Sequence, residues 1–205
     1  GHSSLSAIAR TLVLPTAAAH RRVARLVENG YLIPASYGRH LPGPRLLALQ
    51  RSLDARQILA QLAHPALKAL ARDAKCIVQL GTLEQDMVTY RIKAGRGAAD
   101  LFTKIGMQME AYCSGMGKVL LAHLDPPLLD QYLAAGPFIA LTPKTITDPQ
   151  ALRKELSAVR ACGHAIDNEE VALGLHCVAV PVRDPQGAVI AALSASRVTA
   201  AVSPA

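Results

Sequence analysis

The apolar residues of this 205-residue chain change period near residue 76, and that change limits what each half can become. Before it, the spacing is helical. Leu5, Ile8, Ala9 and Leu12 fall at i, i+3, i+4 and i+7, with Ser4 or Ser6 placed to cap. Val13-Leu14-Pro15 interrupts the pattern, and Thr16 is the expected N-cap of a second helix running to about Asn29. Its apolar stripe is Ala19, Val23, Leu26 and Val27, and Asn29-Gly30 is a stop signal. A short strand over 31–33 and a turn over 36–40 with a basic tip follow. Two helices, a tight turn and a small hairpin make the outline of a winged helix. Pro44 opens a short helix. A helical linker is expected over 52–62, with Leu53, Ile58, Leu59 and Leu62 as its apolar positions, and Pro65 is expected to start another helix over 66–74.

After the change, 76–83 and 87–93 read as a hairpin around Glu84-Gln85-Asp86. Helices are expected over 114–124, 127–135 and 149–161. Strands over 177–183 and 188–196 are joined by Asp184-Pro185-Gln186-Gly187, a strong turn sequence. The fold class is therefore α+β: helices first, then strands mixed with helices.

Charge follows the same division. Residues 1–60 hold eight arginines (Arg10, Arg21, Arg22, Arg25, Arg39, Arg45, Arg51 and Arg56) against two acids, Glu28 and Asp54, and so carry +6 of the chain's net +7. A basic end on a near-neutral body suggests a nucleic-acid-binding module attached to something else. Aromatic content of 3% with no Trp argues against single-strand binding by base stacking. The four cysteines show no C-x-x-C spacing, which fits a reducing compartment. No apolar run has the length of a membrane span and no leader pattern is present, so a cytoplasmic protein without a membrane partner is expected.

The basic helix is the strongest constellation. Thr16, Ala17, Ala18, His20, Arg21 and Arg22 combine small, polar and cationic side chains, as a helix in a DNA major groove requires; Arg25 shares that face and Arg39 lies at the hairpin tip. The plain alternative is a solvated amphipathic helix. Ser114-Gly115-Met116-Gly117-Lys118 lacks the spacing of a phosphate loop; it reads as a glycine turn opening a helix whose free N–H groups suit an anion. Asp167, Glu169 and Glu170 are paired acids or solvated loop residues. Cys162-x-His164 and His176-Cys177 allow a metal or thiol reading. However, the flanking Val178-Ala179-Val180 makes Cys177 look like an apolar strand residue.

These pieces resemble the IclR-type bacterial transcriptional regulators. The likeness runs in three blocks. The first is Leu5-Ser6-Ala7-Ile8-Ala9-Arg10 through Leu14-Pro15-Thr16 to His20-Arg21, Leu26 and Gly30-Tyr31. The second is Gly38-Arg39 with Gly43-Pro44-Arg45-Leu46. The third is Ser114-Gly115-x-Gly117-Lys118, then Gly163 to Asp167, Glu169, Glu170, Gly174 and Cys177-Val178-Ala179, then Ala192-Leu193-Ser194-x-Ser196. The resemblance implies a winged helix-turn-helix domain over 1–51, a linker helix over 52–62 and a GAF-like effector domain over 63–205. It also implies duplex operator DNA and a small carboxylic acid as partners, homodimers that can pair into tetramers, and neither cofactor nor metal. Matched residue by residue, it places the effector pocket on Ala98, Leu101, Gly115, Met116, Asp167, Leu175, Cys177, Ser194 and Ser196. The family's usual helices before residue 4 and after the last strand have no counterpart in this sequence. Met116 stands where a small residue is usual and Arg197 where Gly is usual.

The expected function is a ligand-responsive, DNA-binding transcriptional regulator without catalysis. The alternative is a small-molecule-converting enzyme using Cys177 or Cys113 with His176 or His164.

Overall fold

A computed structural model describes residues 4–52 and 54–199. Leu53, expected as an apolar linker position, and the tail over 200–205 lie outside the described residues. The chain forms two compact units, Gly1–Ala55 and Arg56–Ala205.

The first unit is small. Helix α1, Leu5–Thr11, is capped by Ser4, whose hydroxyl accepts from the Ala7 N–H at 3.4 Å. Helix α2, Thr16–Glu28, starts one residue earlier than its sequence suggests: Pro15 is the N-cap and Thr16 is already helical. Proline fixes its own φ but offers no side-chain acceptor, so α2 begins without a side-chain cap. Ala19 and Val23 are buried and Val27 is half-buried, but Leu26 is exposed, so the apolar stripe is narrower than expected. Strands β1, Leu32–Pro34, and β2, His40–Pro42, pair antiparallel around a 3₁₀ turn over Ser36–Gly38. Helix α3 runs from Pro44 to Ser52. A Cβ at Gly43 would stand 2.3 Å from the Gly30 carbonyl oxygen, so only glycine allows the hairpin to return this closely.

The second unit opens with helix α4, Ala55–Ala74, and here the linker expectation fails. There is one helix, not a linker over 52–62 followed by a new start at Pro65. Leu59, Ala60, Ala63, Leu67 and Ala71 recur at helical spacing across the proline and pack together against the sheet. That shared apolar face outweighs the hydrogen bond Pro65 removes.

Six antiparallel strands form the sheet, in the order β5-β4-β3-β8-β7-β6. They are β3 (Ile77–Glu84), β4 (Met87–Ala94), β5 (Gln108–Glu110), β6 (Ala165–Asn168), β7 (Leu175–Arg183) and β8 (Val189–Val198). The short strands β5 and β6 carry too few residues for a period to be read. The inner face packs on α5 (Gly115–Ala122), α6 (Pro126–Ala134) and α7 (Pro149–Cys162) in the larger core. The outer face packs on α4 through Val78, Leu80, Ile92 and Ala191. Among the described residues no helix is long and apolar enough to cross a membrane.

Candidate functional site

Strand register assembles a polar row on the inner face of the sheet. Ile77 of β3 pairs with Ser196 of β8, Ser196 with Cys177 of β7, and Cys177 with Asp167 of β6. Two residues along, Gln79 pairs with Ser194 and Ser194 with Ala179. Because strand side chains alternate, both rows point the same way, toward the start of α5. Ser114 caps α5 by accepting from the Gly117 N–H at 3.1 Å. The next amides, at Gly115 and Met116, belong to a first turn without intrahelical partners. Gly117 permits this approach, since a Cβ there would stand 2.0 Å from the Ala111 carbonyl oxygen.

Between helix and rows lies a cavity of 20 Å³, lined by Gly115, Met116, Asp167, Leu175, Cys177 and Ser194. Gln79, Tyr90, Thr103, Ser114 and Val171 complete the lining. That is room for about one water, not for an organic acid. Leu101 and Ser196 line a second, larger cavity of 680 Å³, and Ala98 packs on the core without lining either one. The nine residues matched to the family pocket are therefore divided. Six close an inner cavity, two face an outer one, and Ala98 stands behind them. Gln79 was not singled out in the sequence, although a glutamine inside an apolar strand is itself a signal. It is buried and donates to Thr103 Oγ1 at 2.8 Å. Thr103 carries no such signal.

Burial sets the electrostatics. Asp167 is raised from 3.8 to about 6, first by desolvation and then by the Glu170 charge, against hydrogen bonds from backbone amides and the Lys118 charge. Its Oδ1 accepts from the Glu170 N–H at 2.8 Å. It is therefore mostly ionised at neutral pH and takes up a proton in mildly acidic solution. Ser196 Oγ is buried and has no hydrogen bond of good geometry. Its neighbour is the Cys177 thiol, a weak partner that burial and the Asp167 charge push up to about 12 despite the small lowering by Ser196. Lys118 is 1% exposed and its ammonium donates to Glu170 Oε1 at 2.6 Å, to the Ile166 carbonyl at 2.5 Å and to Glu155 Oε1 at 3.1 Å. Burial raises Glu170 and the Lys118 bond lowers it, with a net rise. Glu169 is tied to Lys144 and to the Gly174 N–H, so it stands apart from Asp167 and Glu170, which act on each other.

A thiol nucleophile has no geometry here. His176 alternates to the opposite face of β7 from Cys177, and His164 is exposed beside Cys162, meeting it only through backbone oxygens. Desolvation and the Asp167 and Glu110 charges raise the Cys113 thiol, the reverse of what a nucleophile needs.

On α2, Thr16, Ala17, His20, Arg21, Arg22 and Arg25 are exposed, and Ala18 is half-buried. Ala18, His20, Arg21, Arg22 and Arg25 line one shallow concavity with Glu28. Arg39 is exposed beyond the 3₁₀ turn.

Comparison with known proteins identifies the family. The family model for the bacterial transcriptional regulator IclR C-terminal domain matches residues 50–204. The Pca regulon regulatory protein of Pseudomonas putida is 31% identical over 198 residues, covering 95% of this chain and 67% of the relative. Among solved structures, the Thermotoga maritima IclR superposes with a TM-score of 0.64 at 30% identity, covering 97% of this chain and 81% of its own. An IclR homologue from Microbacterium hydrocarbonoxydans, solved in complex with 4-hydroxybenzoate, gives a TM-score of 0.64 at 30% identity, with coverage of 96% and 82%. The relatives are named as regulators, and the chain belongs to the IclR family of bacterial transcriptional regulators: it regulates transcription and is not an enzyme.

Proposed function

We propose that this regulator binds operator DNA through α2 and responds to a small carboxylic acid seated between the polar rows and the start of α5. The unit over 1–51 then acts as a winged helix-turn-helix, and the α+β unit acts as a GAF-like effector domain. The observation that carries the effector reading is the inner-face row. Ser194, Ser196, Cys177 and Asp167 come from three strands and converge under first-turn amides, which favour an anion through their N–H groups and the helix dipole. Because the inner cavity holds only 20 Å³, the effector enters by displacing Met116, which lines it. Methionine, unbranched and flexible, adapts readily to such displacement.

The 4-hydroxybenzoate bound by the Microbacterium relative is the natural first probe. Binding measured by calorimetry should weaken by about 1–3 kcal/mol in both Ser194→Ala and Asp167→Ala. Wild-type affinity in both variants for any acid that binds would remove the site. For DNA, Arg21→Ala or Arg22→Ala should weaken duplex binding and flatten its salt dependence by about one unit of slope. Operator binding indifferent to both changes would remove α2 from the interface. A dimer completes the reading, because two-fold operators take two such helices about one helical turn apart.

A further inference from the structure

The 680 Å³ outer cavity is not part of the matched pocket except at Leu101 and Ser196. Its rim carries Lys75, Arg96 and Arg197, with Asp100 as the opposing carboxylate. Lys75, Arg96 and Arg197 make no ion pair or side-chain hydrogen bond among the described residues. The wall over 95–103 is held down by Lys93, whose ammonium donates to the Leu101 carbonyl at 2.7 Å and to the Thr103 carbonyl.

The two cavities lie end to end along the strands. Gln79 and Ser194 line the inner one, and Ile77 and Ser196 line the outer one; each pair is two residues further along the same face. Thr103 and Leu101 repeat the step on the facing loop. Two strand residues span about 7 Å, the length of a four- to six-carbon chain. At the junction stands the Ser196 hydroxyl, 1% exposed and without a well-formed hydrogen bond. Buried polar groups of this kind are normally satisfied, so a hydroxyl with a weak thiol beside it and no bond of good geometry has capacity for a ligand at the junction.

We propose that the outer cavity is the second half of the effector site and that it binds a second anionic group, so that the effector is a diacid. One carboxylate sits at the α5 start against Ser194 and Ser196. The other meets the guanidinium group of Arg96 and the ammonium of Lys75, which together outweigh Asp100. Charge-assisted bonds at a half-open rim are screened by salt, so the second carboxylate gains most at low ionic strength.

This inference rests on the inner-row effector reading, and matched acids separate the two. Calorimetry on the full chain compares butanoate with succinate, hexanoate with adipate, and 4-hydroxybenzoate with terephthalate. In at least one pair the diacid should bind about tenfold tighter, the effect of one charge-assisted bond. That ratio should fall toward one in Lys75→Gln/Arg96→Gln, return in Lys75→Arg/Arg96→Lys, and shrink as salt rises. Diacids no tighter than their monoacids in every pair, with Ser194→Ala weakening both, would overturn the second site and leave the first. A diacid preference that survives Lys75→Gln/Arg96→Gln would also overturn it. Failure of every acid to bind would remove both readings.

Discussion

The two units bury apolar surface on different scales. The second sets two cores against the two faces of one sheet, with Val78, Leu80, Leu121, Leu152 and Leu156 almost fully enclosed. In the first, the buried side chains are small: Ala9, Ala19 and Val23. It leaves Leu12, Leu26, Ile33, Leu41, Leu46 and Leu47 exposed, together with Val13 at 89% and Tyr37 at 96%. A segment of about 55 residues buries too little surface for a large stability margin of its own. In the proposed dimer, contact with a second copy would cover exposed apolar surface of this kind. One unit thus encloses large side chains in its interior, and the other encloses only small ones.

The largest expected effect lies in the second unit. Lys118→Met leaves Glu170 buried without its ammonium and should cost about 3–5 kcal/mol in urea unfolding. Lys118→Met/Glu170→Gln should recover part of that loss. If the single variant is as stable as the wild type, the pair does not anchor the loop to α5.

Next comes the same substitution placed once in each unit. Gly117→Ala forces a methyl onto the Ala111 backbone and should destabilise the second unit by about 3 kcal/mol. Gly43→Ala meets the Gly30 carbonyl as closely. Hydrogen exchange should show each loss confined to its own unit. Protection lost across both units from either change would mean that they unfold as one.

Asp167 sharpens the contrast through pH. Its folded value lies above the ordinary one, so between about pH 4 and 6 the native state holds a proton that the unfolded chain has released. Stability from this group is therefore full below that window and falls as pH rises through it, by about 2–3 kcal/mol. Asp167→Asn should flatten that slope relative to the wild type, read from urea midpoints at each pH. Parallel profiles would show that Asp167 ionises normally.

The smallest effect is a gain in the first unit. Val13 sits at φ +51°, a left-handed conformation that strains a β-branched residue. Val13→Gly should stabilise that unit by about 1 kcal/mol, seen as slower exchange in α1 and α2. Faster exchange would mean that the valine side chain makes contacts worth more than the strain.

The sequence made visible whatever repeats or punctuates. Helices α1 to α3 and α5 to α7, the β3–β4 hairpin and the β7–β8 pair all carry a period, a proline or a turn signal. Strands β5 and β6 do not; they exist because a longer neighbour offers an edge. Pro65 misled because a local rule was overruled by five apolar residues on one face of α4. Among site residues, Ser194 and Ser196 share a strand and so a visible spacing. The convergence of Asp167, Cys177 and Ser196 depends on register between strands, which no local pattern encodes. The division into inner and outer cavities depends on how Leu101 and Met116 pack, which is further still from any pattern.

The 20 Å³ inner cavity has a consequence for signalling. On the proposed reading, an effector seated there would meet a chamber too small to hold it, and its apparent affinity would be its intrinsic affinity reduced by the fraction of molecules that are open. At an open population of about one per cent, a tight ligand reads as roughly a hundredfold weaker. Side-chain volume at position 116 would then act as a dial on the concentration at which the regulator responds, tuning sensitivity without altering a single polar contact.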